Sequence, residues 1–160
     1  MAKKVRKIGT GYFFGYGGKF EGDETADQCI CRETKKESGG VIILDPTRLE
    51  RVALIRFFNG KHLDPLKNEP SFEVLCYRIF MTRSEVGTPK TTKEMADPTW
   101  FSLHYIPFGT DQMKPGDELV VRPIIAGTPV KGYLHCSEDS KEVYGASIGL
   151  CDISDLNLVA

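Results

Sequence analysis

The sequence predicts an α/β fold, an α/β/α sandwich around a mixed β-sheet with a shortened N-terminal strand. The first observation behind this prediction is a helix with clear start and stop signals between residues 25 and 40. The second is a series of short apolar runs, typical of strands, with a shorter helix late in the chain. At 160 residues the chain has the size of one domain, so we expect residues 1–160 to form a single domain.

Local signals place the first helix. Thr25 is followed three residues later by Gln28, which is a capping-box pattern and predicts the helix start. Gly39 and Gly40 supply the left-handed conformations that end helices. The stretch from Gly15 to Gly40 therefore reads as a glycine-rich loop, an acidic turn and a helix.

This helix carries charges on the side that should face a core. At 3.6 residues per turn, Ala26, Cys29, Ile30, Glu33 and Glu37 share one face. Two carboxylates one turn apart repel each other, and burying them unpaired is costly. A bound divalent cation would remove both problems, and oxygen ligands favour Mg²⁺, with Mn²⁺ as a second candidate.

A simpler interpretation of the two carboxylates stays open. They could point into solvent, or pair with the basic side chains Arg32, Lys35 and Lys36 on the same helix. Charged helix faces are common, so the charge pattern by itself favours this simpler arrangement.

Composition excludes several classes of protein. The net charge is −1, so no overall field attracts nucleic acid polymers or membranes, and no signal peptide or long apolar run is present. The five cysteines are odd in number and have no zinc spacing, which predicts reduced thiols and a cytoplasmic protein.

The N-terminal segment is the weakest part of the predicted fold. Residues 3–8 could form a short edge strand or a flexible, solvated end. The predicted sheet can still be complete in two ways. The recorded first residue could lie downstream of the true start, or another strand could take the place of the N-terminal one. A missing strand would expose an edge and favour oligomerisation, so a monomer and a homodimer both stay open.

The remaining elements follow in order. Asn59-Gly60 is a turn, residues 59–70 and 89–97 are loops, and residues 72–82 look like a central strand because both faces are partly apolar. The other predicted elements are strands at 51–58 and 99–103, a helix at 118–126 interrupted at Pro123, and a hairpin of 131–136 and 142–153.

The spacing of charged residues closely resembles the Nudix box, G-x5-E-x7-R-E-U-x-E-E-x-G-U, where U is a bulky apolar residue. Six of its nine fixed positions match, namely Gly18, Glu24, Arg32, Glu33, Glu37 and Gly39. Thr34 and Gly40 stand at the two apolar positions. Lys36 stands where the first glutamate of the pair belongs, a position that often helps to hold metal in the family. Lys36 lies one turn from Glu33 and could pair with it instead of with a cation.

The resemblance extends to the segments around residues 88–108 and 130–153, which look like the oxidised-purine nucleoside triphosphatase branch of the family. It implies a Nudix fold, Mg²⁺-dependent attack of water on a nucleoside triphosphate, and a role in nucleotide-pool sanitation. It also implies that Glu33, Glu37, Glu94 and the carbonyl of Gly17 bind metal. Glu94 could equally be an exposed loop carboxylate.

The remaining site residues are also implied by the resemblance. Glu24 and Arg32 would brace the loop and helix, completing the predicted catalytic set with Glu33, Glu37 and Glu94. The predicted substrate-binding residues are Lys4, Phe13, Phe14, Gly17, Lys19 and Asp117, and Gly9 matches a position lining the nucleotide pocket.

Base recognition fits the resemblance less well than the box does. Phe14 can stack on a base but cannot read its edge by hydrogen bonds, and Asp117 could instead cap the helix that follows it. Two other functions stay open: a nucleotide-binding or regulatory module with little catalysis, and a hydrolase of another linked diphosphate such as a nucleotide sugar.

Overall fold

The computed structural model describes residues 1–6 and 9–157, which form two compact units. Residues 1–49 and 79–107 make up the first unit, and residues 50–78 with the chain from 108 onward make up the second. The helices and strands, in chain order, are β1 Ala2–Lys4, β2 Phe13–Phe14, α1 Ala26–Glu37, β3 Glu50–Asn59, β4 Phe72–Arg78, α2 Arg83–Val86, β5 Met95–Ala96, α3 Asp117–Ala126, β6 Val130–Cys136 and β7 Val143–Leu150.

The first unit contains a small antiparallel sheet in the order β2-β1-β5. The sequence predicted a strand at residues 3–8 lying at an edge, but β1 covers Ala2–Lys4 and lies in the middle of this sheet. Lys7 and Ile8 lie outside the described residues. The prediction of an edge was wrong because β5 lies within the segment 89–97 that was predicted to be only a loop, and it pairs with β1.

Helix α1 has the boundaries that its capping signals predict. The Thr25 side chain accepts a hydrogen bond from the Gln28 backbone N–H, and the Gln28 side chain accepts one from the Thr25 N–H, so the capping box is complete. Gly39 and Gly40 follow the helix with φ of 73° and 82°, in the left-handed region. Helix α2, a single turn capped by Thr82, was not predicted.

The second unit is built on a four-stranded mixed sheet in the order β4-β3-β6-β7. Strand β3 is parallel to β6 and antiparallel to β4, and β6 and β7 form the predicted C-terminal hairpin. One face of this sheet forms a core with α3, built from the buried residues Ala53, Ile55, Val120, Val130, Leu134 and Cys136. The mixed α/β class predicted from the sequence is therefore confirmed.

Three details of the second half of the chain differ from the sequence prediction. Strand β4 is an edge strand rather than a central one, and it ends at Arg78. Residues 99–103 do not form a strand, because Asp97 and Pro98 turn the chain just before them and Asp97 has a φ of 47°. Helix α3 continues through Pro123, since Val120 and Ile124 pack into the core and offset the lost backbone hydrogen bond.

The helices among the described residues are too short or too polar for any of them to cross a membrane.

A substitution at Gly132 would test how closely β6 and β7 pack in the C-terminal hairpin. A Cβ at Gly132 would lie 2.0 Å from the carbonyl oxygen of Ser147 and 2.7 Å from the Cα of Ile148, both backbone atoms of β7. We therefore expect Gly132→Ala to lower the free energy of unfolding by about 2 to 3 kcal/mol in urea denaturation. The matched control is Gly149→Ala on β7, whose Cβ would meet nothing within 4 Å, and we expect it to change stability by no more than about 0.5 kcal/mol. Equal losses in both variants would contradict this explanation.

Candidate functional site

The glycine-rich loop before α1 lies against the acidic face of the helix. The backbone N–H of Gly17 donates a hydrogen bond to Oε2 of Glu37 at 2.9 Å. A Cβ at Gly18 would lie 2.5 Å from the carboxylate of Glu33, so a side chain at this position would displace that carboxylate. The loop therefore determines where both carboxylates lie.

Three carboxylates converge in the first unit. Glu33 and Glu37 are 4% and 3% exposed, which confirms that both lie on the buried face of α1. With Glu94, which lies one residue before β5, they offer oxygen atoms that all lie within 4.8 Å of one another. Three carboxylate oxygens at this separation fit a divalent cation such as Mg²⁺ or Mn²⁺, because these ions prefer oxygen ligands.

Glu37 is the member of this cluster whose charge is least compensated. Burial raises its pKa, and the negative charges of Glu33 and Glu94 raise it further. The Gly17 N–H and the charge of Lys4 act in the opposite direction. The net shift is upward, so a cation at this carboxylate would relieve an existing electrostatic cost.

Glu94 is held by two basic side chains rather than being a free loop carboxylate. Nη2 of Arg6 lies 2.6 Å from Oε1 of Glu94, and Nζ of Lys36 lies 3.3 Å from the same oxygen. The hydrogen bond from Arg6, followed by that from Lys36, lowers the pKa of Glu94. The carboxylate therefore stays ionised at neutral pH, as a metal ligand must.

Arg32 connects the acidic loop to the helix. Its guanidinium donates two hydrogen bonds to Glu24, from Nε to Oε2 at 2.9 Å and from Nη2 to Oε1, and a third to the carbonyl of Lys19 at 2.9 Å. It also contacts Glu33 and pairs with Glu21. The hydrogen bond from Arg32 lowers the pKa of Glu24 to about 2. This bidentate pair joins the acidic loop to α1.

Lys36 does pair with Glu33, which the sequence offered as an alternative to a cation. Its Nζ lies 3.3 Å from Oε1 of Glu33. Partial burial lowers the pKa of Lys36, but its contacts with Glu94 and Glu33 outweigh burial and the net shift is upward. Lys36 is therefore charged and points at the cluster.

The predicted substrate-binding residues of the first unit lie in different surroundings. Phe13 is buried and packs edge-to-face on Phe101 at 4.9 Å between ring centroids, so it behaves as a core residue and its burial argues against direct contact with a substrate. Phe14 is only half-buried, and Nζ of Lys4 lies 5.4 Å from its ring centroid. The ring also lies close to Gly9, where a Cβ would be 2.5 Å from it.

Asp117 belongs to the second unit and is the first residue of α3. Its Oδ2 accepts a hydrogen bond from the backbone N–H of Lys114 at 3.2 Å. Burial raises the pKa of Asp117 to about 6, and the charge of Lys114 counteracts part of that increase. Lys114 is itself buried, with Nζ 5.1 Å from the centroid of Phe57, which stacks on Phe72.

Two residues near these sites were not identified from the sequence. Arg6 fell within a basic run that could be a solvated end, and only the pairing of β1 with β5 brings it to Glu94. Lys114 is the second of these residues, and it is buried in the loop before α3. A buried lysine carries no periodic signal in a loop, so its position becomes evident only from the structure.

The chain is similar in sequence to a known family and to two known proteins. A family model described as a NUDIX domain matches residues 1–122. The oxidized purine nucleoside triphosphate hydrolases of Mus musculus and Danio rerio are 35% and 32% identical to the chain over 109 residues. Each match covers 68% of this chain but only 60% of the relative, so the chain matches less than two thirds of the length of these relatives.

A solved structure supports the fold. The crystal structure of the mMutator MutT protein from Bacillus halodurans has a TM-score of 0.52, with 18% sequence identity. The similarity covers 86% of this chain and 82% of that chain, and it shows that the two share a fold.

The raised pKa of Asp117 gives a prediction for stability against pH. In the folded state the pKa of Asp117 is about 6, above the ordinary value of 3.8. The contribution of Asp117 to the free energy of unfolding is therefore highest below about pH 4 and falls as the pH rises through 6, where the buried carboxyl becomes charged. We expect Asp117→Asn, which keeps the acceptor without the charge, to be about 2 to 3 kcal/mol more stable than the wild type at pH 7.5 and nearly equal to it at pH 4.

Urea denaturation at several pH values measures this difference. Asp111→Asn is the matched control, because Asp111 is an exposed aspartate of the same unit. A difference between Asp117→Asn and the wild type that does not change with pH would contradict a buried charge as its cause.

Proposed function

Because the chain belongs to the Nudix family, we propose that it is a Mg²⁺-dependent pyrophosphohydrolase that cleaves a nucleoside triphosphate to a nucleoside monophosphate and pyrophosphate. The observation that carries this proposal is the convergence of Glu33, Glu37 and Glu94 within 4.8 Å beside the glycine-rich loop. Mn²⁺ is an alternative ion, since the same oxygen ligands suit both metals.

The cluster residues would hold the cation, which would neutralise charge on the polyphosphate and lower the pKa of the attacking water. Glu33 and Glu37 come from one rigid helix, which fixes their separation. Glu94 has a lowered pKa, and this suits a ligand or a group that orients water better than a base that must hold a proton near neutral pH.

The loop residues would bind the phosphates next to that cation. Arg32 and Glu24 fix the loop on α1, so the backbone around Gly17 and Lys19 keeps its position next to the acidic cluster. Such bracing matters because phosphoryl transfer depends mainly on positioning and on charge stabilisation.

For the substrate, we propose a nucleoside triphosphate with an oxidised purine as the first candidate. The names of the two relatives, both oxidized purine nucleoside triphosphate hydrolases, support this choice. Phe14 is the partly exposed aromatic residue near Lys4 that we propose stacks on the base. Asp117 belongs to the second unit, and its contact with a base stays a prediction from the family resemblance. The cytoplasmic location and the monomeric or dimeric state stay predictions from the sequence.

One observation favours a second function. Lys36 occupies the box position where the family has a glutamate, and it already pairs with Glu33. This contact would weaken metal binding, as expected of a nucleotide-binding or regulatory module with little catalysis. A hydrolase of another linked diphosphate, such as a nucleotide sugar, also uses the box, and a substrate panel separates it from the triphosphatase.

We expect the purified chain to release pyrophosphate from at least one member of a panel of ordinary and oxidised nucleoside triphosphates, only when Mg²⁺ or Mn²⁺ is present. Glu37→Gln should lower kcat by about 100-fold or more, because it removes the charge of a metal ligand while keeping its size. Ion chromatography of the products measures the release and distinguishes pyrophosphate from inorganic phosphate.

The matched control is Asp23→Asn, which neutralises an exposed carboxylate of the same loop outside the cluster. It should leave kcat within about twofold of the wild type. If no nucleotide is cleaved but calorimetry shows nucleotide binding that EDTA does not change, the result would support a nucleotide-binding or regulatory function and contradict the proposed hydrolase. Cleavage of nucleotide sugars alone would instead assign the second substrate class.

A further inference from the structure

Lys36 lies where its ammonium group faces two of the three clustered carboxylates. Its Nζ is 3.3 Å from Oε1 of Glu33 and 3.3 Å from Oε1 of Glu94. The side chain is 49% exposed and ends in an ammonium group on a four-carbon stem. Its charge is therefore shared between two carboxylates of the cluster.

The cations around the cluster are unevenly distributed. Glu33 contacts both Arg32 and Lys36, and Glu94 contacts both Arg6 and Lys36. Lys36 is thus the group that these two carboxylates share. On this side, the negative charge is already matched by positive side chains.

The contacts of Glu37 differ from those of Glu33 and Glu94. Among the residues that the structure describes, its carboxylate accepts a hydrogen bond from the Gly17 N–H but forms no ion pair. Lys4 influences it only through its charge, without a direct contact. Among the described residues, the side of the cluster next to Glu37 is therefore the side without a direct contact to a basic side chain, and only the charge of Lys4 acts there from a distance.

We propose that the Lys36 ammonium is a built-in cation of the acidic cluster, which occupies the position between Glu33 and Glu94 and leaves a single divalent ion to bind beside Glu37. The presence of that divalent ion rests on the proposed function, whereas the position of the lysine does not. A lysine at this point repels a further divalent ion, and a glutamate at the same point would attract one.

A built-in ammonium has different chemical consequences from a metal ion. It carries one charge instead of two, and it approaches carboxylate oxygens to about 3 Å rather than about 2 Å. It therefore offsets part of the negative charge of Glu33 and Glu94, beside Arg32 and Arg6, without acting as a Lewis acid on the substrate. The chain should consequently need less divalent metal than a relative with a glutamate here.

The test is a count of bound Mn²⁺ by electron paramagnetic resonance on the full chain without nucleotide. We expect one Mn²⁺ per wild-type chain and two per Lys36→Glu chain. Lys35→Glu is the matched control, since Lys35 is an exposed neighbour on the same helix and the change in net charge is identical. We expect Lys35→Glu to bind one ion with an affinity within about threefold of the wild type.

A second variant keeps the inference testable if Lys36→Glu does not fold. Lys36→Gln removes the charge and adds no carboxylate, so it should bind its first Mn²⁺ about fivefold or more tightly than the wild type. Lys35→Gln is its control and should match the wild type. Thermal unfolding supplies an independent readout, because Mn²⁺ should raise the Tm of Lys36→Gln more than that of Lys35→Gln.

The outcomes separate this inference from the proposed function. A wild-type chain that binds two Mn²⁺ or none overturns it, as does equal behaviour of the Lys36 and Lys35 variants. If the ion counts are as expected but no nucleotide is cleaved, the lysine assignment stands and the hydrolase fails. If nucleotides are cleaved but the two lysine variants behave alike, only the lysine assignment fails.

Discussion

The burial of two carboxylates on one face of α1 is the constraint on which the rest of the site depends. Removing Glu33 and Glu37 from water is unfavourable unless hydrogen bonds and opposite charges compensate them. The compensation comes from the backbone of the glycine loop at Gly17, from the guanidinium of Arg32 and from Lys36. Because Gly18 has no side chain, the loop can lie directly against Glu33. The glycine-rich loop and the acidic helix face thus require each other.

Much of the local structure could be predicted from the sequence, because its causes are local. The capping box at Thr25 and Gln28 and the glycines at 39 and 40 determine where α1 begins and ends. Helical periodicity then places Glu33 and Glu37 on the buried face, and the burial of both is confirmed. The strand around residues 51–58 and the C-terminal hairpin were also identified from apolar runs.

The errors concern pairing between distant segments. Strand β4 has apolar residues on both faces, which is typical of a central strand, yet it lies at the edge of its sheet because β6 takes the other side of β3. Strand β5 has only two residues and no pattern of its own, so its pairing with β1 could not be read from the sequence. The same pairing brings Arg6 to Glu94. Residue patterns report burial, but they do not report which strand is the neighbour.

The small sheet of the first unit links the third carboxylate to the N-terminal strand. The backbone carbonyl of Glu94 accepts the N–H of Val5, and Lys4 is paired with Met95. Local opening of this sheet would carry Glu94 away from the cluster while α1 stays helical. Any ion that is attracted by the charge of Glu94 must then shift this equilibrium toward the closed sheet, by the difference between its binding free energies for the closed and the open cluster. Amide hydrogen exchange in β1 would therefore slow as the ion binds, so a strand far from the helix in sequence would report the occupancy of the acidic cluster.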